Sequence, residues 1–310
     1  MKISIVILSF NNYDETTGQC LNFLSADPDF NKWELIVVDN ASDVHTQKRL
    51  CEAKRLYPAV NFVFNSQNLG FSAGNNIGIK LATGNIIILL NSDAFPSPGM
   101  LARLIEHFSC DTQLGMVGPV TNAAGNEQCI YTGIGSTEEI INEGLRYASA
   151  GQRETMLAYR LDFFCVAITR QVLEQVGLLD EDFGRGYFED FDYSLRVKKA
   201  GFKLGVAEDC FVYHRGSASF GKVPHETRKL IKRNKQLILR KHGRDVQFQH
   251  KRQANLSLLS QYLANMLSGK YASEYRISNR LNLANNDLPK SWFKRWCYMR
   301  NVETLLSKFP

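Results

Sequence analysis

The feature that most constrains this chain is a rhythm in its first 120 residues, where short apolar runs alternate with segments of helical spacing. Residues 3–9 form a near-continuous apolar run, as a strand buried on both faces does. A helical pattern follows at 13–25, and a second strand at 35–38 ends in Asp39-Asn40. Residues 44–57 read as a helix stopped by Pro58, and 60–64 as a third strand. A helix at 72–82 closes at Gly84, and a fourth strand at 86–90 runs into Asn91-Ser92-Asp93. Residues 98–108, with Pro98 near their start, read as a helix, and 116–120 as a further strand. This alternation predicts an α/β fold, a Rossmann-like, mostly parallel sheet flanked by helices. Ligands of such sheets bind at the carboxyl ends of the strands. Asn11-Asn12, Asp39-Asn40 and Asn91-Ser92-Asp93 each follow a strand, so they are predicted to gather along one sheet edge.

The rhythm is lost at 121–160, rich in Gly, Asn, Glu and Thr, which reads as a long, partly mobile segment over that edge. A strand at 161–168, a helix at 169–176, a helix at 190–200 and two short strands at 203–206 and 211–213 follow. From Pro224 onward Arg, Lys, Asn, Gln and Leu dominate at helical spacing. The expected organisation is one α/β domain over 1–222 and a helical region over 223–310. Hydrophobic residues make up 44% and charged residues 22%, a balance that argues for a folded globular chain rather than disorder. The net charge of +6 is mild and suits anionic small molecules or anionic membranes. It gives no support for nucleic-acid recognition beyond a basic tail. The seven cysteines include no CxxC pair, which argues against structural zinc or a disulfide framework and for a reducing cytoplasm. No apolar run reaches the ~20 residues of a membrane span, and the N-terminal run is broken by Asn11, Asn12 and Asp14 before any cleavage site.

Three groups carry chemistry. Asp93 sits on a turn past a strand, where a capping role is the plain alternative. Asp39 has the same setting, and two acids at one sheet edge are costly unless a cation, sugar or base hydroxyl uses them. Glu189, Asp190 and Asp192 lie among Tyr187, Phe188, Phe191 and Tyr193. Acids here favour a helix N-terminus, and an apolar wall also raises a carboxylate's pKa and suits it to general-base work. His214 ends a strand, either as a satisfied structural residue or, with a carboxylate nearby, as a ligand to Mn²⁺ or Mg²⁺. The stretch NSQNLGFSAGNNIGIK lacks both the P-loop ending and the dinucleotide fingerprint. It reads as a loop and helix start, or as amide groups set to bind a nucleotide or sugar.

Taken in order, IVILSFNN, LIVVDNASD, NLGFSAGNN, ATGNIIILLNSDA, FEDFDYSLRVKKAGF and VYHRGSAS resemble the inverting glycosyltransferases of family 2, over roughly residues 1–220. The likeness is nearest to the rhamnosyltransferase-like bacterial polysaccharide branches. It implies the GT-A fold, with 1–222 as a catalytic domain that binds the nucleotide in 1–120 and has its acceptor side in 121–222, and metal-dependent transfer of a sugar from a UDP or dTDP donor to a hydroxyl of a glycan, lipid-linked or protein acceptor. It implies that Asp39 holds the base or ribose, with the backbone near Ser9, Phe10 and Asn11, and that Asn68, Gly70 and Asn75 line the donor site with Asn91 and Ser92. Asp93 and His214 would hold Mn²⁺ or Mg²⁺, Asp190 would be the base, and Glu189 would orient donor or acceptor. Asn91 stands where the family's DxD-type triplet has its first Asp. Asp162-Phe163-Phe164-Cys165-Val166-Ala167 replaces a strand that often carries Gly, which shapes the pocket floor differently. A non-catalytic nucleotide-sugar or glycan binder is the competing class. A nucleotidyltransferase is disfavoured because SFNNYDET has no basic, Gly-rich pyrophosphate loop.

In the tail, KSWFKRWCYMR sets Trp292, Phe293, Trp296 and Met299 at helical spacing among Lys290, Lys294, Arg295 and Arg300. Such a helix packs on the catalytic domain or a second copy in a homodimer, or lies in a membrane interface. A cytoplasmic protein, peripheral on the inner face of the plasma membrane, is the corresponding expectation. The run HETRKLIKRNKQLILRKHGR reads as a basic, solvated helix.

Overall fold

A computed structural model describes residues 2–216 and 225–308. The expected boundary near residue 222, Pro224, and the end of the VYHRGSAS motif (Ser217, Ala218 and Ser219) lie outside the described residues. The elements run β1 (Ile3–Ser9), α1 (Thr17–Ser25), β2 (Glu34–Asp39), α2 (Val44–Leu56), β3 (Asn61–Phe64), α3 (Gly70–Leu81), β4 (Ile86–Asn91), β5 (Ala94–Pro96), α4 (Met100–Cys110) and β6 (Leu114–Thr121). Then come α5 (Thr137–Ser149), β7 (Thr155–Leu157), β8 (Cys165–Thr169), α6 (Arg170–Val176), α7 (Glu189–Lys199) and β9 (Lys203–His214). The chain ends in α8 (His225–His242), α9 (Lys251–Leu267), α10 (Glu274–Asn286) and α11 (Trp292–Leu306).

One sheet runs β3-β2-β1-β4-β8-β6-β9-β5, with β7 also paired to β9. The half built from β3, β2, β1 and β4 is parallel, as the alternation predicts. The rest is not. β8 lies antiparallel between β4 and β6, and β5 and β7 run antiparallel to β9. The sheet is therefore mixed. A strand reversed at the middle of the sheet leaves two sets of strand ends facing one cleft.

Because strand side chains alternate, each apolar strand feeds two cores. Ile5, Ile7, Val37 and Ile88 meet Leu21, Leu50 and Leu104 of the helices on one face. Val6, Val38, Ile87 and Leu89 meet Ile79 of α3, Val172 of α6 and Val197 of α7 on the other. Truncating one of the buried Ile or Leu side chains among these to Ala costs about 2–5 kcal/mol.

Several boundaries differ from expectation. Residues 121–160 are not a loose segment: α5 begins with a reciprocal Ser136–Glu139 capping box, and its Gly144 lies directly against the Phe211 ring of β9. The signal was present as Ser136-Thr137-Glu138-Glu139. The two short strands foreseen at 203–206 and 211–213 are one strand, β9, with a register shift against β6 between Pro119 and Val120. The strand read at 161–168 begins only at Cys165, and residues 162–164 form a cleft wall instead. The 13–25 helix is split into a 3-10 turn over Tyr13–Glu15 and α1. Pro98 precedes α4 rather than opening it.

Candidate active site

The carboxyl ends of β1, β2 and β4 border a cleft of about 870 Å³. Phe10 and Asn12 follow β1, Asn40 and Ala41 follow β2, and Asn91, Ser92 and Asp93 end β4. The opposite wall is Asp162, Phe163 and Phe164 with the 185–190 loop. The backbone is bent hard around this space. Asn11, Asn12, Ala41, Tyr187 and Phe188 have φ of 55°, 52°, 59°, 71° and 76°. Such conformations cost of order 1–3 kcal/mol each away from glycine and gather at functional sites. Gly70 has φ 83°, and a Cβ there would strike the Gly184 carbonyl, so only glycine lets α3 start against the 184–186 loop.

Asn40 fastens that corner. Its side-chain amide donates to Asn68 Oδ1 (3.0 Å) and Gly70 O (3.1 Å), and its carbonyl accepts from Leu69 N (3.0 Å) and Asn65 Nδ2 (3.2 Å). Asn65 and Asn68 of the Gly-rich stretch are thus both held by Asn40, and of the two only Asn68 borders the cleft.

Of the residues singled out from sequence, Phe10, Asn68, Gly70, Asn91, Ser92, Asp93, Glu189, Asp190 and His214 all border this cleft. Ser9, Asn11, Asp39 and Asn75 do not. Ser9 Oγ is buried against Thr17 Oγ1 at 2.7 Å. Asn11 Oδ1 accepts from Asp43 N at 2.8 Å. Asp39 is buried, with its carboxylate facing Ser42 N at 3.3 Å, and Asn75 Nδ2 donates to Phe71 O at 3.0 Å within α3.

Asp93 Oδ1 and His214 Nε2 face each other at 3.4 Å, each side chain mostly buried. His214 Nδ1 lies 2.9 Å from Ala123 O, an acceptor, so Nδ1 carries the hydrogen and Nε2 points at Asp93 with its lone pair or a second proton. Burial alone would lower the histidine's pKa, but the bond and charge of Asp93 outweigh it and raise it. A proton is favoured between these two groups, and the donor set of one carboxylate and one oriented imidazole equally fits a divalent cation. The Phe164 ring stacks on His214 with centroids 5.2 Å apart.

At the start of α7, Glu189 is buried and its Oε2 has no hydrogen-bond partner among the described residues. Asp190 Oδ1 accepts from Phe191 N at 2.7 Å. Burial raises both carboxyls, and neighbouring negative charge adds to it, Asp190 for Glu189 and Asp162 for Asp190. Glu189 is pushed up to about 8 and Asp190 up to about 7, the latter against the opposing charge of Arg160. Two acids poised near neutrality on a cleft wall are what acid–base chemistry requires. Asp192 is different. It is fully buried and bonded to Arg196 (2.8 Å), His242 (2.7 Å) and Lys241 (3.0 Å). Burial would raise its pKa, but these three partners hold it below the usual carboxylate range. It ties α7 to α8.

Residues 4–176 match the family described as Glycosyl transferase family 2, more than half of the chain. The chain belongs to this family. A curated relative is the dolichyl N-acetyl-alpha-D-glucosaminyl phosphate 3-beta-D-2,3-diacetamido-2,3-dideoxy-beta-D-glucuronosyltransferase of Methanococcus voltae, 27% identical over 212 residues, 65% of this chain and 63% of that protein. The chain thus spans less than two thirds of that relative's length. Among solved structures, GalNAc-T7 with UDP, GalNAc and Mn²⁺ superposes with a TM-score of 0.59 at 14% identity, over 92% of this chain and 57% of the other. The mannosyltransferase PcManGT of Pyrobaculum calidifontis with GDP-Man and Mn²⁺ gives 0.54 at 16% identity, over 98% and 86%. These likenesses establish the GT-A fold.

In this family 2 member a second cleft, of about 720 Å³, opens on the other side of Asp190. It shares Asp162, Tyr187, Asp190 and His214 with the first, and its outer wall is Phe248, Lys251, Arg252 and Asp287 from the C-terminal region. Sequence reasoning placed the acceptor side in 121–222 and did not foresee that C-terminal residues line a cleft shared with Asp190. It also missed Arg160, Arg185 and Asn122. The Gly184-Arg185-Gly186 sequence, with φ of 66° and 136° at its glycines, was the available signal for Arg185. Apart from the Asp93–His214 pair, His107, Asp209 and Cys210 cluster between α4 and β9. Both ring nitrogens of His107 are engaged there, by Thr155 (2.6 Å) and Asp209 (2.7 Å), so the cluster is a closed hydrogen-bonded plug. No helix among the described residues is long and apolar enough to cross a membrane.

Proposed function

We propose that the protein is an inverting glycosyltransferase that moves a sugar from a nucleoside diphosphate to an acceptor hydroxyl, in surface polysaccharide or glycoconjugate synthesis. The observation that carries this reading is that Asp190 stands where the two clefts meet, with the Asp93–His214 pair on the same walls. The first cleft takes the donor, as a UDP or dTDP sugar by the family resemblance. Its base lies between exposed Phe10 and the backbone of Ala41, and Arg185 faces the diphosphate. The acceptor enters from the second cleft.

Asp190 accepts the acceptor hydroxyl's proton as the oxygen forms its bond to the anomeric carbon. The bond from that carbon to the diphosphate oxygen breaks on the opposite side, and its electron pair leaves with the nucleoside diphosphate. Glu189, protonated at neutral pH, donates a hydrogen bond from its otherwise unpartnered end and orients the sugar. Asp93 and His214 would hold Mn²⁺ or Mg²⁺, which when bound supplies Lewis-acid neutralisation of the leaving diphosphate. A base of this kind contributes about 10²–10⁴-fold.

A thermal-shift screen of UDP, dTDP and GDP sugars with Mn²⁺, followed by donor hydrolysis without acceptor, tests this reading. Stabilisation by one donor class and slow release of its nucleoside diphosphate are expected. Stabilisation with no turnover under any acceptor would instead identify a non-catalytic binder on the same scaffold.

A further inference from the structure

Helix α11 is two-faced. Tyr298 and Val302 are buried against Ala284 of α10, with Leu256 of α9 and Leu281 of α10 packed on them. At its N-terminal end Trp292, Phe293 and Trp296 are 78%, 62% and 47% exposed. Phe293 and Trp296 stack on each other at 6.3 Å, and the Arg300 guanidinium sits 4.9 Å over the Trp296 ring. Among the described residues these rings join no buried core cluster, although the chain's other tryptophan, Trp33, is buried.

Lys290, Lys294, Arg295 and Arg300 surround the rings, all exposed, and no acidic residue occurs from Lys290 to Arg300. No described acid lies within ion-pair distance of these four cations. Apolar rings projecting from a helix whose other face is anchored, ringed by unpaired cations, match the chemistry of an anionic lipid surface. Tryptophan rings settle at the headgroup level, and each Lys or Arg gains from the negative surface potential. A second copy of this chain fits poorly, since a two-fold contact would bring the same cations face to face with no acid between them.

The patch also has a defined place. Trp292 follows Asp287 after Leu288, Pro289, Lys290 and Ser291. Arg252 donates to Asp287 O at 2.6 Å and Leu288 O at 3.3 Å, pinning this connection to the start of α9. Arg252 and Asp287 both wall the second cleft, which reaches Asp190.

We propose that the N-terminal end of α11 is a docking surface for an anionic lipid bilayer, set beside the outer wall of the cleft that leads to Asp190. A bilayer engaged there presents a lipid-borne acceptor to that cleft, a consequence that rests on the function proposed above. The docking itself does not.

Flotation of the full chain with phosphatidylcholine vesicles, and with vesicles containing phosphatidylglycerol, tests the proposal. The wild type should float with the anionic vesicles and lose binding as salt is raised. Lys294→Glu with Arg295→Glu should lower that partitioning by more than about tenfold. Trp292→Ala with Trp296→Ala should weaken it at every salt concentration. Unchanged thermal melting of these surface variants shows that they fold, and unchanged donor hydrolysis separates loss of docking from loss of the transferase site. Failure of the wild type to float with anionic vesicles, or equal flotation of the charge-reversed variant, overturns the proposal. So does a light-scattering dimer that the tryptophan variant converts to monomer, because a second copy then covers the patch. Vesicle binding with no donor turnover would overturn the transferase reading and leave the docking surface standing.

Discussion

Asn122 grips the backbone of His214 from both sides: its Nδ2 donates to His214 O and its Oδ1 accepts from His214 N, each at 2.9 Å. The neighbouring Ala123 carbonyl holds the ring. The imidazole that faces Asp93 is therefore aimed by a loop directly after β6, not by its own strand alone. Groups that orient a ligand in this way typically matter 10–100-fold for metal affinity. Asn122→Ala should weaken Mn²⁺ binding by about that factor while the fold persists. Calorimetric titration of Mn²⁺ into both proteins checks it, and equal affinities would show that Asn122 does not position His214 for a metal.

Asp190→Asn keeps the shape of the junction between the clefts but removes the carboxylate proposed as the base. Turnover should fall by about 10²–10⁴-fold with the donor's dissociation constant nearly unchanged. Single-turnover transfer and a donor binding isotherm measure the two quantities separately. Retained turnover would remove Asp190 from the proton-accepting role, and a parallel loss of donor affinity would make it a binding residue.

The raised pKa values set two pH dependences of definite sign. Asp190 must be ionised to act, and burial with the Asp162 charge pushes it up to about 7, so the rate should climb through neutrality rather than near pH 4. Glu189, pushed up to about 8, binds its proton more tightly folded than unfolded. Between the ordinary carboxylate pKa and that raised value the native state holds the extra proton, so its stability falls as pH rises. Glu189→Gln should remove this part of the slope, and its melting temperature relative to wild type should increase from pH 5 to pH 9. A constant difference across that range would show that Glu189 does not titrate as a buried acid.

Much of this was legible because the physics is local. The Ile-, Leu- and Val-rich strands, the polar residues that end them and the glycine at position 70 each follow from neighbouring sequence, and they brought Asn91, Ser92 and Asp93 to the same edge as Phe10. The strand direction of β8 was not legible, since a short apolar run reads alike parallel or antiparallel. Neither was the place of Asp39, which shares the strand-end pattern of Asp93 yet turns to Ser42. Asp190 and Asp192 are two residues apart on one helix, and only tertiary partners make one a poised acid and the other a clamped ion pair. The share of the C-terminal helices in the second cleft depends on long-range bonds that leave no periodic trace.

The firmest of those bonds centre on Glu208 of β9. It is fully buried, paired with Arg280 at 2.7 Å and approached by the hydroxyls of Tyr147 and Tyr262. Arg280 also donates to the carbonyls of Glu127 (2.7 Å) and Cys129 (2.5 Å), so one side chain of α10 fixes both β9 and the loop that follows Asn122. Breaking a buried pair leaves an uncompensated charge and costs about 3–5 kcal/mol. Arg280→Met should lose that much stability by urea denaturation. Adding Glu208→Gln to it should restore part of the loss, because the stranded carboxylate is gone, and the two changes should be non-additive. Additive losses would mean that the pair contributes little. A large coupling would mean that the C-terminal helices are part of the catalytic fold, and that a chain ended near residue 222 does not fold as an independent domain.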